Sequence, residues 1–204
     1  MNLDAIRDKL AYQPILLGVF ALLTSGALSW VSGATAPAIM AAEAKDLRDS
    51  LAEVLPAGLA DNDFLNDTVD LMRDGKTVTV YRARQAGTLK AVLFKVSERG
   101  YSGEIQLLMA LDLSGKTLGV RVLKHAETPG LGDKIEAKKS DWVRDFDGKS
   151  LTEPAPEQWA VKKDNGVFDQ FAGATITPRA VVKAVKGGLE FFAAQQQEMT
   201  GKAH

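Results

Sequence analysis

The chain has 204 residues, with 25 basic and 26 acidic side chains, a formal net charge of -1 and no cysteine. This length suits one membrane anchor plus one domain and is too short for a multidomain enzyme, and so even a charge balance predicts no nucleic-acid binding. The lack of cysteine excludes disulfides, thiolate zinc sites, cysteine-ligated iron–sulfur clusters and cysteine nucleophiles, and with only two histidines we expect no metal site.

A long uncharged segment near the N-terminus predicts a membrane anchor. No charged residue occurs from Leu10 to Ala42, and its densest part, Ile15 to Thr35, supplies about the 20 apolar residues that cross a bilayer as a helix. The alternative is a cleaved signal peptide, whose apolar core is shorter, about 7–15 residues. Ala34-Thr35-Ala36 has the small residues of a candidate cleavage site, but Pro37 follows it directly. This proline and the length of the segment favour a retained helix.

The residues around and along this segment predict its orientation and one of its contacts. Arg7 and Lys9 precede it, which by the positive-inside tendency places the N-terminus in the cytoplasm and the rest of the chain outside. Small residues recur every four positions and could form a stripe against another transmembrane helix, although such residues are also simply common in membrane helices. They are Ala21, Ser25, Ser29 and Gly33.

After the anchor we expect a stalk helix and then an antiparallel sheet. Leucines at four-residue spacing indicate a helix over Met40–Leu55, ended by Pro56. Four strand-like runs follow, and the turn signals near them suggest an antiparallel meander. The runs are Thr77–Arg84, Leu89–Ser97, Glu104–Leu113 and Thr117–Lys124.

The last third of the chain predicts smaller elements and a closing helix. Ser140–Phe146 resembles a short helical piece. Asn165-Gly166, between Trp159–Lys163 and Val167–Phe171, predicts a tight hairpin. Pro178–Gln195 predicts a helix with one apolar face. That face carries Val181, Val182, Val185, Leu189 and Phe192.

The fold class that follows is α+β. We expect a single N-terminal transmembrane helix followed by one extracytoplasmic domain with an antiparallel sheet and flanking helices. The expected division is an N-terminal segment at 1–10, the transmembrane helix at 11–36, the stalk helix and linker at 37–60, and the domain at 61–204.

The segment from Asp169 to Pro178, DQFAGATITP, is the most informative for function. Thr177 is a good helix N-cap and Pro178 a preferred first helical residue, so we expect a helix N-terminus just after Thr175. Small residues leading to a helix N-terminus form a place where backbone N–H groups and the helix dipole favour an anion such as phosphate. The alternative is an ordinary strand-to-helix turn with a capping threonine.

Two other segments contain glycines that could let the backbone approach a ligand. Lys124–Gly132, KHAETPGLG, runs from a strand into a Pro-Gly turn, and its alternative is a long surface turn. His125 could titrate or bind a ligand, although a lone histidine is more often an ordinary polar residue. In Glu98–Gly103, ERGYSG, Tyr101 could lie against a ring. The interpretation we favour there is a hairpin connection with Tyr101 packed on the domain.

Together these motifs resemble a known family. The anchor, GYSGEI, HAETPGLGDKIE and DQFAGATITPRAV resemble the G subunit of the Rnf electron transport complex, also called Rsx, and more distantly the C subunit of the sodium-pumping NADH:quinone reductase. In that family the last threonine of Asp-x-x-(Ser/Thr)-Gly-Ala-Thr carries FMN through a phosphoester, added by a flavin transferase that uses FAD. By position this residue is Thr175, while Ala172 departs from the usual Ser or Thr.

The resemblance also implies the rest of the site. Gly173 and Ala174 belong to the attachment signature, and Lys162 approaches the flavin. No residue is required as a catalytic acid or base, because the redox chemistry belongs to the flavin. The resemblance implies that the isoalloxazine is lined by Glu127, Thr128, Gly130 and Leu131.

The function that the resemblance implies is electron transfer through covalent FMN, within a complex that couples ferredoxin and NAD to ion movement. The partners would be the other membrane subunits and the flavin transferase, with the FMN domain on the periplasmic side of a bacterial inner membrane. Two alternatives stay open. One is the C subunit of the quinone reductase, whose chains are generally longer; the other is a cofactor-free anchored structural module.

Overall fold

A computed structural model describes residues 12–201, which belong to two compact units that divide between Leu47 and Arg48. The first helix, α1, spans Tyr12–Val54 and continues through Pro37. It is long and apolar enough to cross a membrane. The helix expected over Met40–Leu55 is confirmed as its C-terminal part, while the predicted segment at 1–10 lies outside the described residues.

The second unit is built on a five-stranded antiparallel meander, with the strands side by side in chain order. The four predicted strands are confirmed, each within a few residues of its expected bounds. The first strand was not predicted, because it is only six residues long and Leu71 is its one buried residue. The strands are β1 Thr68–Arg73, β2 Lys76–Gln85, β3 Thr88–Arg99, β4 Glu104–Asp112 and β5 Thr117–Lys124.

Both faces of the sheet are buried. Successive side chains of a strand point to opposite faces, and Leu93 and Phe94 of β3 are both fully buried. Phe94 meets Phe191 of the C-terminal helix edge to face, with ring centroids 5.5 Å apart. On β5, a side chain at Gly119 would lie 2.5 Å from the carbonyl oxygen of Val54. The last turn of α1 therefore packs against this strand.

The closing helix, α2, spans Ile176–Thr200, longer at both ends than expected. Its predicted apolar face is confirmed, because all five of the named side chains are buried. Arg82 from β2 donates from Nε to the carbonyl of Met199 at 2.8 Å and from Nη2 to that of Glu198 at 3.0 Å. A cation at the C-terminal end of a helix can donate to the last carbonyls, which have no partner within the helix. It is also attracted to the negative end of the helix dipole.

The connection from β5 to α2 is built from short turns around an aromatic cluster. The predicted helical piece is a 3-10 helix at Asp141–Phe146, and the hydroxyl of Ser140 accepts a hydrogen bond from the N–H of Trp142 at 3.2 Å. Trp142 contacts Phe171 edge to face at 5.1 Å between ring centroids. This contact ties the cluster to the segment before Thr175.

The hairpin predicted over 159–171 is wrong. Lys162–Asp164 is a 3-10 turn, and the flanking segments meet at a parallel bridge. A hairpin turn of the Asn-Gly kind has positive φ at both residues, but of the two only Asn165 has it, at 64°. Gly166 lies so close to the backbone of Ala160 that any side chain would clash. Glycine is needed here for close packing and not for a turn.

Candidate functional site

A cleft of about 340 Å³ opens where three separate segments meet beside the start of α2. This volume is within the range of about 300–1,000 Å³ that is typical of small-molecule sites. One segment is the β3–β4 turn, the second follows β5, and the third leads into α2. The lining residues are Tyr101, Glu127, Thr128, Leu131, Gly132, Gly173, Ala174, Thr175, Ile176 and Thr177.

A tight turn presents Thr175 to the cleft. The N–H of Ala174 donates to the carbonyl of Phe171 at 3.2 Å, and Gly173 has φ 80°, as the third residue of a type II turn requires. The indole N–H of Trp142 donates to the backbone carbonyl of Asp169 at 2.8 Å, which fixes the chain just before the turn. Ala174 and Thr175 are half-buried on the cleft wall.

The predicted capping role of Thr177 is wrong. The residue at the N-cap of α2 is Thr175, which makes no side-chain capping bond. Thr177 is instead 1% exposed, and its hydroxyl donates to Oε2 of Glu127. The hydroxyl bonds to a buried carboxylate of another segment instead of capping the helix. A partner this far away in the chain cannot be seen from the local sequence. The result leaves the hydroxyl of Thr175 free of a structural role at the helix terminus.

Glu127 joins all three segments of the cleft. Its side chain is buried, with the residue 4% exposed. Besides the Thr177 hydroxyl, its carboxylate accepts hydrogen bonds from the backbone N–H groups of Tyr101 at 3.3 Å and Ser102 at 3.0 Å. A buried carboxylate needs such donors to offset its lost hydration. Glu127 is therefore both a wall of the cleft and its main internal link.

Two glycines make room for this carboxylate. A side chain at Gly100 would lie 2.6 Å from Oε1 of Glu127, and one at Gly132 would lie 2.9 Å from the Thr177 hydroxyl and 3.0 Å from Cβ of Glu127. Contacts this short are almost never made by a real Cβ. The glycines of the GYSGEI and PGLG motifs thus serve the packing around Glu127.

The Pro-Gly turn brings Leu131 to the rim of the cleft. The N–H groups of Leu131 and Gly132 both donate to the carbonyl of Thr128, at 3.2 and 3.0 Å, and Gly130 has φ 77°. Leu131 is 43% exposed, and a side chain at Gly173 would contact it at 3.5 Å. An apolar side chain left open beside a turn of small residues suits a flat, largely apolar ligand.

Tyr101 lines the cleft from the β3–β4 turn. The 98–103 segment is a hairpin connection as expected, closed by a 2.7 Å bond from the N–H of Gly100 to the carbonyl of Gly103. Tyr101 is not packed on the domain, however, since it is 71% exposed and lines the cleft. Its N–H bond to Glu127 holds the backbone while the ring stays free.

The structure brings together most of the predicted site residues. Lys162 and Gly130 are not among the residues that line the cleft, and the ammonium group of Lys162 lies 2.6 Å from Oδ1 of Asp169. Four lining residues were not among the predicted site residues: Tyr101, Gly132, Ile176 and Thr177. The predicted residues that line the cleft are Glu127, Thr128, Leu131, Gly173, Ala174 and Thr175.

Lys139 bonds to two acidic side chains in the part of the chain that follows the Pro-Gly turn. Its Nζ lies 2.8 Å from Oδ2 of Asp133 and 2.7 Å from Oε1 of Glu136. The hydrogen bond from Lys139 is the main reason that the pKa of each carboxyl group is lowered, and the two bonds raise the pKa of Lys139. Folded-state pKa values below the unfolded ones mean that these groups stabilise the protein when ionised.

Replacing Lys139 with glutamine is therefore expected to flatten the acid dependence of stability. The contribution of Asp133 and Glu136 is fully present above about pH 4.5, their unfolded range, and is lost as the pH falls through the lowered folded values. Urea midpoints, followed by tryptophan fluorescence from about pH 6 to about pH 3, should fall steeply for wild type and less for the variant. Lys138→Gln, an exposed neighbour, is the control. Parallel curves for Lys139→Gln and wild type would contradict the expectation.

The electrostatics of the cleft suit a bound anion at the start of α2. Of its lining residues, all within the described part of the chain, Glu127 is the charged one, and its carboxylate is already held by three donors. The first N–H groups of a helix have no partner within the helix and carry partial positive charge. Arg179, in the first turn, is held by Asp164 through bonds of 2.6 and 2.7 Å.

Comparison with known proteins points to the same part of the chain. A family model described as an FMN-binding domain matches residues 100–190, which include all three segments of the cleft. The G subunit of the ion-translocating oxidoreductase complex of Cereibacter sphaeroides strain ATCC 17029 is 50% identical over 186 residues, covering 91% of this chain and 85% of that protein. The protein of the same name from Stutzerimonas stutzeri is 50% identical over 191 residues, covering 93% and 83%.

A solved structure shares the fold. The crystal structure of NqrC from Shewanella oneidensis has a TM-score of 0.51 to this chain at 23% identity, covering 72% of this chain and 74% of that one. At this identity the likeness supports the architecture of the second unit.

Proposed function

The chain belongs to the G-subunit family of ion-translocating oxidoreductase complexes, and from this membership we propose that it is a membrane-anchored flavoprotein that carries electrons within such a complex. The two features that this role needs are both in the chain. α1 is long and apolar enough to span a membrane, and the second unit contains the FMN-binding region.

FMN fits the cleft beside α2. Its lining combines two exposed side chains with large apolar parts, Tyr101 and Leu131, with the small residues Gly132, Gly173 and Ala174. When bound, FMN supplies the reversible uptake of one or two electrons. The protein holds the cofactor, orients it and limits its access to water.

The observation that carries the proposal is the free hydroxyl of Thr175. This side chain lines the cleft, stands at the N-cap of α2 and makes no capping bond there. We therefore assign it as the residue that would hold FMN through a phosphoester. The threonine oxygen would bond to the FMN phosphorus of FAD as the pyrophosphate bond breaks, and AMP would leave while the hydroxyl proton is released. Gly173 and Ala174, which precede Thr175 and line the same cleft, have no side chain beyond a methyl group.

Backbone groups would offset the charge of the phosphate. The lining residues of the described cleft include no lysine or arginine, so a side-chain cation is not in place for it. The partner-free N–H groups at the start of α2 lie at this end of the cleft and favour an anion. The attachment of a phosphate at Thr175 would use the same groups.

The remaining contacts are proposed from the walls of the cleft. Glu127, Thr128 and Leu131 would line the isoalloxazine, and Gly130 would serve through the turn that exposes Leu131. Tyr101 would contact the ring from the β3–β4 turn. Lys162 would reach the flavin only after leaving Asp169, its partner in the structure.

The topology and partners follow from the anchor and the family. We assign residues 1–10 to the cytoplasm, 11–36 to the membrane, 37–60 to the stalk and linker, and 61–204 to a periplasmic FMN domain at the inner membrane. The partners would be the other membrane subunits of the complex, which couples ferredoxin and NAD to ion movement, and a flavin transferase that adds FMN from FAD.

Two other functions have less support. The C subunit of the quinone reductase is favoured by the fold alone, at 23% identity, against 50% for the relatives from the G-subunit family. A cofactor-free module would leave the cleft and the free Thr175 hydroxyl without a use.

Ultraviolet fluorescence of the denatured protein tests the proposal. We expect a fluorescent band on a denaturing gel when the chain is made together with the flavin transferase, because a covalent flavin survives denaturation. The chain made without the transferase is the matched control and should stay dark. A dark band under both conditions would refute the covalent flavin and favour the cofactor-free module.

A further inference from the structure

His125, directly after β5, connects the wall of the cleft to an acidic side chain behind it. Its side chain is 14% exposed. Nδ1 accepts a hydrogen bond from the backbone N–H of Glu127 at 3.1 Å, and Nε2 lies 3.0 Å from Oε1 of Glu136. The imidazole thus supports the residue that links the three segments of the cleft.

These two contacts determine which nitrogen carries the proton. A backbone N–H only donates, so Nδ1 must be unprotonated to accept from Glu127. Hydrogen bonds from Lys139 and His125 lower the pKa of Glu136, so its carboxylate is ionised and only accepts. Nε2 therefore carries the proton and donates to Glu136, and the imidazole is neutral.

The charged groups around His125 include some that favour and some that oppose a positive charge on the imidazole. Glu136 and, beyond it, Asp133 are negative, while Lys139 between them is positive. The Glu127 carboxylate is engaged by three donors from the other two segments of the cleft. A second proton on His125 can be added only at Nδ1, where it would face the N–H of Glu127.

We infer that His125 is a positioning residue for the cleft, which holds the Glu127 segment when neutral and releases it when protonated. Two donors facing each other cannot share a hydrogen bond, so protonation leaves the Glu127 N–H without its acceptor. Histidine is the side chain that ordinarily changes charge between about pH 5 and 8, so the contact to Glu127 is tested over this range. The link to the flavin rests on the proposed function; the contact to Glu127 belongs to the protein without cofactor.

The test uses the full chain in detergent, made without the flavin transferase and labelled with 15N-glutamate. The amide proton shift of Glu127 is followed by NMR from about pH 8 to about pH 5. We expect the downfield shift of a hydrogen-bonded amide at high pH and its loss through a single titration step. An amide shift that stays constant over this range would overturn the inference.

Two substitutions of His125 separate its two contacts. In His125→Asn the side-chain oxygen takes the place of Nδ1, so the Glu127 amide should stay downfield at every pH. In His125→Gln the amide group takes the place of Nε2, so the acceptor is lost and the Glu127 amide should be upfield throughout. If the two variants gave the same shift, His125 would not position Glu127. His204→Asn, the other histidine of the chain, should titrate like wild type.

The flavin-loaded chain distinguishes this inference from the proposed function. The absorption band of the flavin should shift with pH at the midpoint of the Glu127 amide in wild type, and should not shift in His125→Asn. A chain that carries flavin but has no titrating Glu127 amide overturns the role of His125 alone. A chain whose amide titrates but which never takes up flavin refutes the proposed function and supports the role of His125.

Discussion

Thr175→Ala is expected to eliminate covalent flavin while the domain stays folded. The substitution removes the oxygen proposed to form the phosphoester. Because this hydroxyl makes no capping bond to α2, stability should change by no more than about 0.5 kcal/mol. Intact-mass measurement should find wild type heavier than its sequence by one FMN less one water, and the variant at the mass of its sequence.

Two matched variants make the assignment of Thr175 testable in both directions. Thr175→Ser keeps a hydroxyl at the same position and should keep the flavin. Thr177→Ala removes the hydroxyl bonded to Glu127, so it should lower stability by about 1–2 kcal/mol and still carry flavin when folded. Flavin that persists in Thr175→Ala, or that is lost from folded Thr177→Ala alone, would place the attachment at another residue.

Glu127→Ala is expected to be the most destabilising single change at the cleft. It leaves two backbone N–H groups and the Thr177 hydroxyl without their acceptor in a buried place, and removes a packed side chain as well. Each stranded donor costs about 1–3 kcal/mol, so for the three donors together we expect a loss of about 3 kcal/mol or more. Urea unfolding followed by tryptophan fluorescence measures this loss.

The same variant should also load flavin poorly, since the cleft depends on Glu127 to hold its segments together. Glu127→Gln keeps the volume and one acceptor oxygen, so its loss of stability should be clearly smaller. Glu157→Ala changes an exposed glutamate and should leave stability within about 0.5 kcal/mol. Equal urea midpoints for Glu127→Ala and Glu157→Ala would contradict the central role of Glu127.

The parts of the fold with periodic apolar residues could be predicted from sequence. Strands β2 to β5 are marked by runs rich in apolar and β-branched residues between turn signals, and α2 is marked by its single apolar face. β1 has a single buried residue, Leu71, so its strand state depends on pairing with β2. The Asn165-Gly166 pair was misleading, because the close backbone of Ala160, and not a turn, requires the glycine.

The candidate site likewise has parts that the sequence predicts and parts that only the folded structure shows. The loop before α2 and the Pro-Gly turn are visible as motifs, and the structure brings them to one cleft. The link between them is not visible, because Thr177 and Glu127 are 50 residues apart in the chain. Local rules for helix capping therefore assigned Thr177 to the wrong role, and only the folded chain shows that Thr175 holds the N-cap.

The contact between Trp142 and the segment before Thr175 gives the domain an intrinsic fluorescent probe of that segment. The indole N–H is bonded to the carbonyl of Asp169, and its ring lies 5.1 Å from that of Phe171. Indole emission responds to such near neighbours, so a change in this loop alters an optical signal that needs no added label. Changes at the turn before Thr175 can thus be followed over time in the unlabelled protein.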